Sequence, residues 1–394
     1  MKASPLGGIR VLDVSAYISG PYAASILAGL GAEVVKVEPP QGDAFRIGRG
    51  AESPFFAQYN AGKKSVAVDL KSGEGREVVR AMLPHFDVLI ENMRPGKLAA
   101  LGLGAEECRR INPDLIYASV SGFGSGGPWR DRPAYDSIGQ ALGGFYTVMN
   151  DPGNTRLTGT CVADLITAIN LSIGILASLA ARGRGGEASG VHLETSVFEA
   201  FSTLTIDAMT QALDTGANPL RETRHPQAQN FCLRTATDDF IVMHLSSSQK
   251  FFRGLMRAIG REELADDPRF LTYAERTRPE NFAALKALLE ESFIDLPRAE
   301  WESRLIAEDV PFAPALTMLE LVEHPQMRWA GLLGAESRGR RVVNPPWRFD
   351  GTRPERDARV PEIGEHTREV LSRFIGDDML AALEEKGAIA TWRG

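Results

Sequence analysis

Short apolar runs alternate with amphipathic stretches through the first half of the chain. Five runs have the length and β-branched content of buried strands: residues 9–14, 34–38, 65–70, 87–91 and 115–121. Three stretches between them have helical spacing: residues 21–30, 74–84 and 97–111. Because strands that alternate with helices pair in parallel, the pattern predicts an α/β fold whose sheet carries helices on both faces.

A long apolar helix follows in the sequence. Residues 165–181 are rich in Ala, Leu and Ile, and the run stops at RGRGGEASG, whose glycines and charges indicate an exposed turn. VHLETSV then predicts a strand, and residues 198–214 predict another helix.

The second half predicts a smaller domain that interrupts the first. Residues 215–230 contain two prolines and no apolar period, which is typical of a linker. The stretch beyond it predicts a hairpin that turns at residues 237–239 and then helices, which together form an α+β domain. The predicted organisation is a large domain at 1–214 completed by 340–394, a linker at 215–230, a small domain at 231–325 and a return linker at 326–339.

Composition excludes several classes of protein. The 394 residues carry a net charge of −7 without a basic face, so nucleic acid is not an expected partner. We expect no membrane insertion, because no run of eighteen apolar residues occurs, and the N-terminus lacks an apolar signal core, which predicts a cytoplasmic protein. Cys108, Cys161 and Cys232 lie far apart, and the six histidines lack ligand spacing, so no metal site is expected.

The glycine-rich segment GFGSGG at residues 122–127 does not predict a dinucleotide site. Such a loop must open directly onto a helix, whereas Pro128, Trp129 and Pro133 interrupt the chain here. The first strand–helix turn, SAYISGPY, also lacks the glycine triplet. A nicotinamide enzyme is therefore disfavoured.

Asp164 is the only charged residue between residues 158 and 176. A carboxylate in the first turn of a helix can accept backbone N–H groups and stabilise the helix dipole. The same environment keeps a carboxylate ionised and available as a nucleophile. Spacing alone leaves both interpretations open.

Basic residues recur near strand ends and helix starts, where open α/β sheets bind ligands. They are Lys36, Arg46, Lys63, Lys64, Lys71, Arg94 and Lys97. Asp136 precedes a helical stretch, so an N-cap is an alternative to a binding role for it.

Several ordered segments resemble the family III CoA-transferases, which include formyl-CoA transferase, carnitine CoA-transferase and the α-methylacyl-CoA racemases. They are GIRVLDVSAYISGPYAASILAGLGAEVVKVEPPQGD, NAGKKSVAVDLKSGEG, VLIENMRPGKLAALGL, INPDLIYASVSGFGSGGPW, AYDSIGQALGG and GEHTREVL. The resemblance is strong from residue 7 to about residue 200 and looser beyond. It implies a Rossmann-like large domain and an interlocked, ring-like homodimer.

The resemblance also implies a mechanism. Asp164, in GTCVAD, matches the family's nucleophile. It would attack an acyl-CoA thioester to give a mixed anhydride, then an aspartyl-CoA thioester, before an acceptor carboxylate reverses the cycle. Acyl-CoA and a carboxylic acid are then substrates, and no prosthetic group is expected.

The residues that the resemblance implies for CoA binding follow the first strands and the AYDSIGQ segment. They are Ile18, Ser19, Val68, Lys71, Asn92, Met93, Arg94, Tyr135 and Asp136, and Lys36, Arg46 or Lys97 could substitute for two basic residues that the family pattern has and this chain lacks. Two positions depart from the family pattern, since Pro39 and Ala100 stand where basic residues are expected.

Two alternative functions are a racemase and a CoA-binding protein without catalysis. Racemases of this family carry a His where this chain has Tyr135, and a phenol is a poor base at neutral pH, so a transferase is favoured. The intact Asp164 argues against a non-catalytic protein. Four residues could clamp a second carboxylate and favour small dicarboxylic acids: Arg46, Arg221, Arg224 and His225.

Overall fold

The structure is a computed structural model that describes residues 4–183, 190–221, 229–337 and 340–392. It divides into two compact units. The first contains Met1–Tyr146, Thr155–Ile206 and Pro325–Gly394, and the second contains Thr147–Asn154 and Asp207–His324.

Twelve strands occur within the described residues. They are β1 (Arg10–Asp13), β2 (Glu33–Glu38), β3 (Lys64–Val68), β4 (Val88–Glu91), β5 (Ile116–Ser121), β6 (His192–Ser196), β7 (Gln229–Arg234), β8 (Phe240–Leu245), β9 (Phe312–Pro314), β10 (Leu333–Ser337), β11 (Arg340–Val343) and β12 (Ile389–Ala390).

Eighteen α-helices occur in the same ranges. They are α1 (Ser19–Gly29), α2 (Pro54–Asn60), α3 (Gly73–Met82), α4 (Lys97–Ala100), α5 (Ala105–Ile111), α6 (Asp136–Leu142), α7 (Phe145–Met149), α8 (Val162–Arg182), α9 (Val197–Ser202), α10 (Ile206–Thr215), α11 (Gln249–Ala258), α12 (Tyr273–Arg276), α13 (Pro279–Phe293), α14 (Arg298–Ala307), α15 (Met318–Glu323), α16 (Pro325–Ala330), α17 (Thr367–Leu371) and α18 (Asp377–Glu385).

The first unit is built on a seven-stranded sheet in the order β12-β3-β2-β1-β4-β5-β6. Strands β1 to β6 pair in parallel, as the alternating pattern predicts. The seventh strand differs, because β12 pairs antiparallel with β3 and places Ile389 opposite Val68. The order reverses between β1 and β4, so their carboxyl ends flank a switch point where α/β sheets bind ligands.

Alternate residues of the strands enter two different hydrophobic cores. Leu12, Val35 and Leu89 belong to the core that contains residues of α3, α17 and α18. Their neighbours Val11 and Val34 belong to the other core, which contains residues of α1 and α8. Because a strand buried on both faces has no polar side to show, these segments read as continuous apolar runs.

Two predicted helices are interrupted in the structure. Instead of one helix over residues 97–111, α4 and α5 are separated by a turn in which Gly102 has a φ of 70°. A left-handed residue ends a helix, and glycine adopts that conformation without steric cost. The predicted helix at 198–214 is likewise divided into α9 and α10.

The second unit contains a three-stranded antiparallel sheet in the order β7-β8-β9. The hairpin that joins β7 to β8 turns where the sequence predicts, and Asp238 adopts the left-handed region there with a φ of 61°. Phe231 and Ile241 alternate with exposed residues along the strands and enter a core shared with α11, α13 and α14. One face of this sheet is therefore apolar, as in a half-buried antiparallel sheet.

Candidate functional site

A pocket of about 230 Å³ opens at the carboxyl ends of β1, β4 and β5 in the first unit. Six residues that the sequence analysis selects line it: Ser19, Asn92, Met93, Arg94, Tyr135 and Asp164. They come from four separate segments of the chain: two follow the ends of the parallel strands β1 and β4, and two lie at the starts of α6 and α8.

Asp164 is the third residue of α8, and its side chain is half-buried against the pocket. Its carboxylate makes no hydrogen bond or ion pair with any other residue that the structure describes. Burial and the nearby charge of Asp136 raise the pKa of Asp164 from 3.8 to about 7. From the sequence, backbone N–H groups at the start of the helix are expected to bind this carboxylate, and within the described residues those of Ala163 and Asp164 donate to Asp136 instead.

The carboxylate of Asp136 accepts backbone N–H groups at the start of α8, and these do not donate to the carboxylate of Asp164. One oxygen of the Asp136 carboxylate accepts the backbone N–H of Ala163 at 2.8 Å and that of Asp164 at 3.2 Å. Asp136 is the first residue of α6, so it caps the start of α8 from a neighbouring helix. The amide of Gln140 joins Asp136 to the backbone oxygen of Thr160 and so fixes the loop that leads into α8. This network holds the backbone of Asp164 and leaves its carboxylate open to the pocket.

Lys36 and Arg46 lie inside the protein and do not line this pocket. The ammonium group of Lys36 forms an ion pair with Asp43 at 2.9 Å and donates to the backbone oxygen of Ser15. Arg46 forms two parallel hydrogen bonds to Glu38, at 2.6 and 2.8 Å, and both side chains are buried. Their charges are neutralised by these partners, so the structure gives both cations an internal role.

Three of the remaining predicted residues lie near the same sheet edge without lining the pocket. Ile18 is buried immediately before α1, and Val68 is the buried last residue of β3. Lys71 is exposed in the turn after β3, where its N–H donates to Asp69. Arg221 pairs with Asp151 at 3.0 Å within the second unit. Arg224 and His225 lie outside the described residues.

Tyr17 and Arg132 are among the pocket residues that the sequence analysis does not select. Tyr17 lies directly before the predicted Ile18, and its φ of 66° is in the left-handed region that non-glycine residues rarely adopt. Arg132 follows the GFGSGG segment, and its guanidinium stacks over the ring of Trp129 at 3.8 Å. The sequence offers one signal for Arg132, since its loop begins at the carboxyl end of a predicted strand.

Two features of the described residues bear on metals and membranes. No group of three or more His, Cys, Asp or Glu within them is placed to hold a metal ion. By length and composition alone, α8 is long and apolar enough to cross a membrane, and about a third of its most apolar window is buried.

Comparison with known proteins assigns the chain to a family. Residues 6–367 match CoA-transferase family III. The chain is 35% identical over 378 residues to the acetyl-CoA:oxalate CoA-transferase of Acetobacter aceti, with 94% of this chain and 96% of that protein covered. It is 32% identical over 405 residues to the succinyl-CoA–D-citramalate CoA-transferase of Chloroflexus aurantiacus, with 98% of each chain covered.

A solved structure agrees with these matches. The crystal structure of a CAIB/BAIF family protein from Brucella suis superposes with a TM-score of 0.82 at 31% identity, and the match covers 94% of this chain and all of that one. The profile match, the similar sequences and the superposition agree over nearly the whole length. The chain belongs to CoA-transferase family III.

Proposed function

We propose that this enzyme transfers CoA from an acyl-CoA to a carboxylic acid through covalent intermediates on Asp164. The observation that carries the proposal is the carboxylate of Asp164, which has no hydrogen-bond or ionic partner among the described residues and lies in the pocket at the switch point. Its backbone is fixed by Asp136 while its oxygens stay accessible, which is the arrangement that a nucleophile needs.

The proposed cycle keeps the acyl potential of the thioester at every step. An oxygen of Asp164 attacks the thioester carbonyl, and the C–S bond breaks. CoA leaves as the thiolate, and the acyl group stays on Asp164 as a mixed anhydride. The thiolate then attacks the aspartyl carbonyl of the anhydride, which releases the donor acid and leaves an aspartyl-CoA thioester. The acceptor carboxylate attacks this thioester, and the same two steps in reverse return acyl-CoA and free Asp164.

The pKa of Asp164 fits this chemistry. Attack requires the ionised carboxylate, and a pKa of about 7 leaves a large ionised fraction at neutral pH. A carboxylate of raised pKa is also a stronger nucleophile than one at 3.8, because the surroundings stabilise its negative charge less.

We propose small carboxylic acids, and dicarboxylic acids in particular, as the acyl groups. The similar enzymes are named for acetyl-CoA with oxalate and for succinyl-CoA with D-citramalate, so three of the four acids in these names are dicarboxylic. In this pocket Arg132 is the cation that we assign to a second carboxylate, in place of Arg46 and Arg221, which pair with Glu38 and Asp151. Arg94, whose guanidinium makes no bond to another described residue, is left for the phosphates of CoA.

A matched panel of acids tests this proposal. Succinate against butanoate, and glutarate against pentanoate, differ only in the second carboxylate. We expect kcat/KM to favour the dicarboxylate by about 10-fold or more, and Arg132→Gln to remove most of that preference, because a charge-assisted hydrogen bond is lost. Arg130→Gln is the control, since Arg130 does not line this pocket. Equal or better rates with the monocarboxylates would exclude the assignment of Arg132.

Racemisation is the alternative reaction, and the same assay distinguishes it. It needs two acid–base groups around the α-carbon of the acyl group. The pocket presents Tyr135, whose side chain is 65% exposed, where the racemases carry a histidine. Solvent deuterium entering the α-carbon without exchange of CoA between acids would favour the racemase and contradict the transferase. Binding of acyl-CoA without either reaction would favour a non-catalytic protein.

We also propose that the enzyme is a homodimer whose second copy covers the apolar face of α8. Ile169 and Ile173 on this helix are 41% and 59% exposed, and Trp347 lies beside them in an apolar groove. Contiguous exposed apolar surface of this kind is typical of an interface.

In the interlocked arrangement that the family resemblance implies, residues 215–230 and 330–350 are the crossing segments. Light scattering that shows a stable, active monomer would contradict the dimer. A cytoplasmic location stays a prediction from the sequence.

A further inference from the structure

The turn between β1 and α1 forms one wall of the Asp164 pocket and contains an unusual backbone conformation. Tyr17 adopts a φ of 66°, in which its Cβ crowds the following carbonyl oxygen. Tyr17 is 46% exposed, and its ring makes edge contacts with the rings of Tyr135 and Phe45, at centroid distances of 6.3 and 5.6 Å. Tyr17, Tyr135 and Asp164 line the same pocket. The turn thus presents an aromatic side chain to the proposed reaction site.

Such a conformation persists only where its surroundings hold it. Here Asn92, which directly follows β4, forms hydrogen bonds to both backbone groups of Ala16, the residue before Tyr17. Its Oδ1 accepts the N–H of Ala16 at 2.9 Å, and its Nδ2 donates to the oxygen of Ala16 at 2.7 Å. A longer bond of 3.4 Å joins Nδ2 to the hydroxyl of Ser19 at the start of α1.

The buried charges hold the same turn from the interior side. Lys36 donates to the backbone oxygen of Ser15 at 2.8 Å, and the carboxylate of Asp13 accepts the N–H of Ser15 at 3.1 Å. Gly20 allows this close packing, because a Cβ there would lie 2.3 Å from the Cβ of Ser15. Ser15 and Ala16 are therefore fixed from two directions, and Tyr17 follows them without freedom to relax.

We propose that Asn92 is a positioning residue that holds Tyr17 in its left-handed conformation and so places the tyrosine ring against Tyr135 at the wall of the pocket. The inference rests on the proposed function, because the ring matters only if an acyl group is transferred beside it. In this arrangement the ring of Tyr17 limits where the thioester carbonyl can lie relative to Asp164. Orientation of this kind contributes to the rate more than to affinity.

The hydrogen-bond capacity of Asn92 separates this role from the direct CoA contact that the family resemblance implies. An asparagine amide has two N–H donors and one oxygen with two lone pairs. Both donors are used, on Ala16 and Ser19, and one lone pair is used on Ala16. A hydrogen bond donated by this amide to CoA would have to break one of those to the turn, and only the second lone pair of Oδ1 stays open to an N–H or O–H of CoA.

Single-turnover kinetics with the full-length enzyme tests the inference. Acylation of Asp164 by acetyl-CoA is measured in the wild type, Asn92→Ala, Tyr17→Gly and the double variant, together with the Kd for CoA. We expect Asn92→Ala to slow acylation by about 10-fold or more with the Kd for CoA unchanged, because the reacting groups are misplaced while CoA still binds. In the Tyr17→Gly background the same substitution should have little further effect, because glycine adopts this φ without strain and has no ring to place.

Two further variants keep the test independent of folding. Asn112→Ala is the matched control, since the Nδ2 of Asn112 also donates to two backbone oxygens, of Leu83 and Phe86, away from the pocket, and its acylation rate should equal that of the wild type. Asn92→Asp keeps the oxygen that accepts the N–H of Ala16. It replaces the Nδ2 donor with a second carboxylate oxygen, which repels the backbone oxygen of Ala16. It should acylate more slowly than the wild type, with unchanged affinity for CoA.

Three results would overturn the inference. They are equal acylation rates in the wild type and both Asn92 variants, a loss confined to the Kd for CoA, and effects of residues 92 and 17 that multiply independently. Failure of the proposed function gives a different result, because the wild type itself would then form no acyl group on Asp164.

Discussion

Replacing Asp164 with Asn is expected to lower the rate of CoA transfer by about 10⁴-fold or more, the range seen when a catalytic nucleophile is removed. The amide has the size of the carboxylate but lacks a nucleophilic oxygen, so neither the anhydride nor the aspartyl thioester can form. Binding of CoA should persist, because the rest of the pocket is unchanged. Asp131→Asn is the control, since Asp131 is exposed and does not line the pocket. Transfer by Asp164→Asn at the wild-type rate would contradict the mechanism.

The same substitution should stabilise the protein at alkaline pH. Folding raises the pKa of Asp164 to about 7, so the folded chain holds this proton more tightly than the unfolded chain does. The contribution of the protonated Asp164 carboxyl to the free energy of unfolding is fully present below the ordinary pKa of 3.8 and is lost as the pH rises through 7. Asn cannot ionise, so above pH 7 the variant should be more stable by about 1–3 kcal/mol, a range reduced for solvent screening. Denaturant unfolding at pH 5 and pH 8 measures this, and a less stable variant at pH 8 would contradict it.

Arg46→Ala is expected to lower the free energy of unfolding by about 3–5 kcal/mol, because it leaves the buried carboxylate of Glu38 without its ionic partner. The loss includes packing, since the guanidinium also lies 3.7 Å from the centroid of the Phe56 ring. Urea unfolding measures the change. Arg49→Ala, at an exposed neighbouring site, is the control and should have little effect on stability.

The Arg46 variant also decides between an internal role and a role in CoA binding. Arg46 does not line the pocket, so the KM for acyl-CoA should stay at the wild-type value at temperatures where the variant is folded. An unchanged free energy of unfolding together with a raised KM for acyl-CoA would contradict the internal role and support a role of Arg46 in CoA binding.

The sequence predicts the large sheet well because its strands are buried on both faces. Runs such as IRVLDV have no alternation to confuse with an exposed strand, and the helices between them fix the parallel order. The family resemblance selects Ser19, Asn92 and Asp164, and the structure brings all three to one pocket at the edge of the sheet. The edge strand β12 could not be predicted this way, since its partner β3 lies about 320 residues earlier and pairs with only two residues.

Burial explains most of what the sequence does not predict in the site. Lys36 lies within β2 and Arg46 follows it, near the strand end where a phosphate-binding cation would lie, and only the fold shows that Asp43 and Glu38 neutralise them inside the protein. Asp136 is similar, because its partners Ala163 and Asp164 lie 27 and 28 residues away in sequence. Hydrogen bonds between residues that are far apart in the sequence produce no regular spacing of residues, so the sequence alone does not predict them.

The most direct test of the central claim is to identify the residue that carries the intermediate. The enzyme is incubated with acyl-CoA, treated with hydroxylamine and digested, and the peptides are analysed by mass spectrometry. We predict a hydroxamate on Asp164 that does not form in Asp164→Asn and that decreases when an acceptor acid is added before hydroxylamine. Modification at another residue, or steady transfer of CoA with no modification of Asp164, would contradict the account.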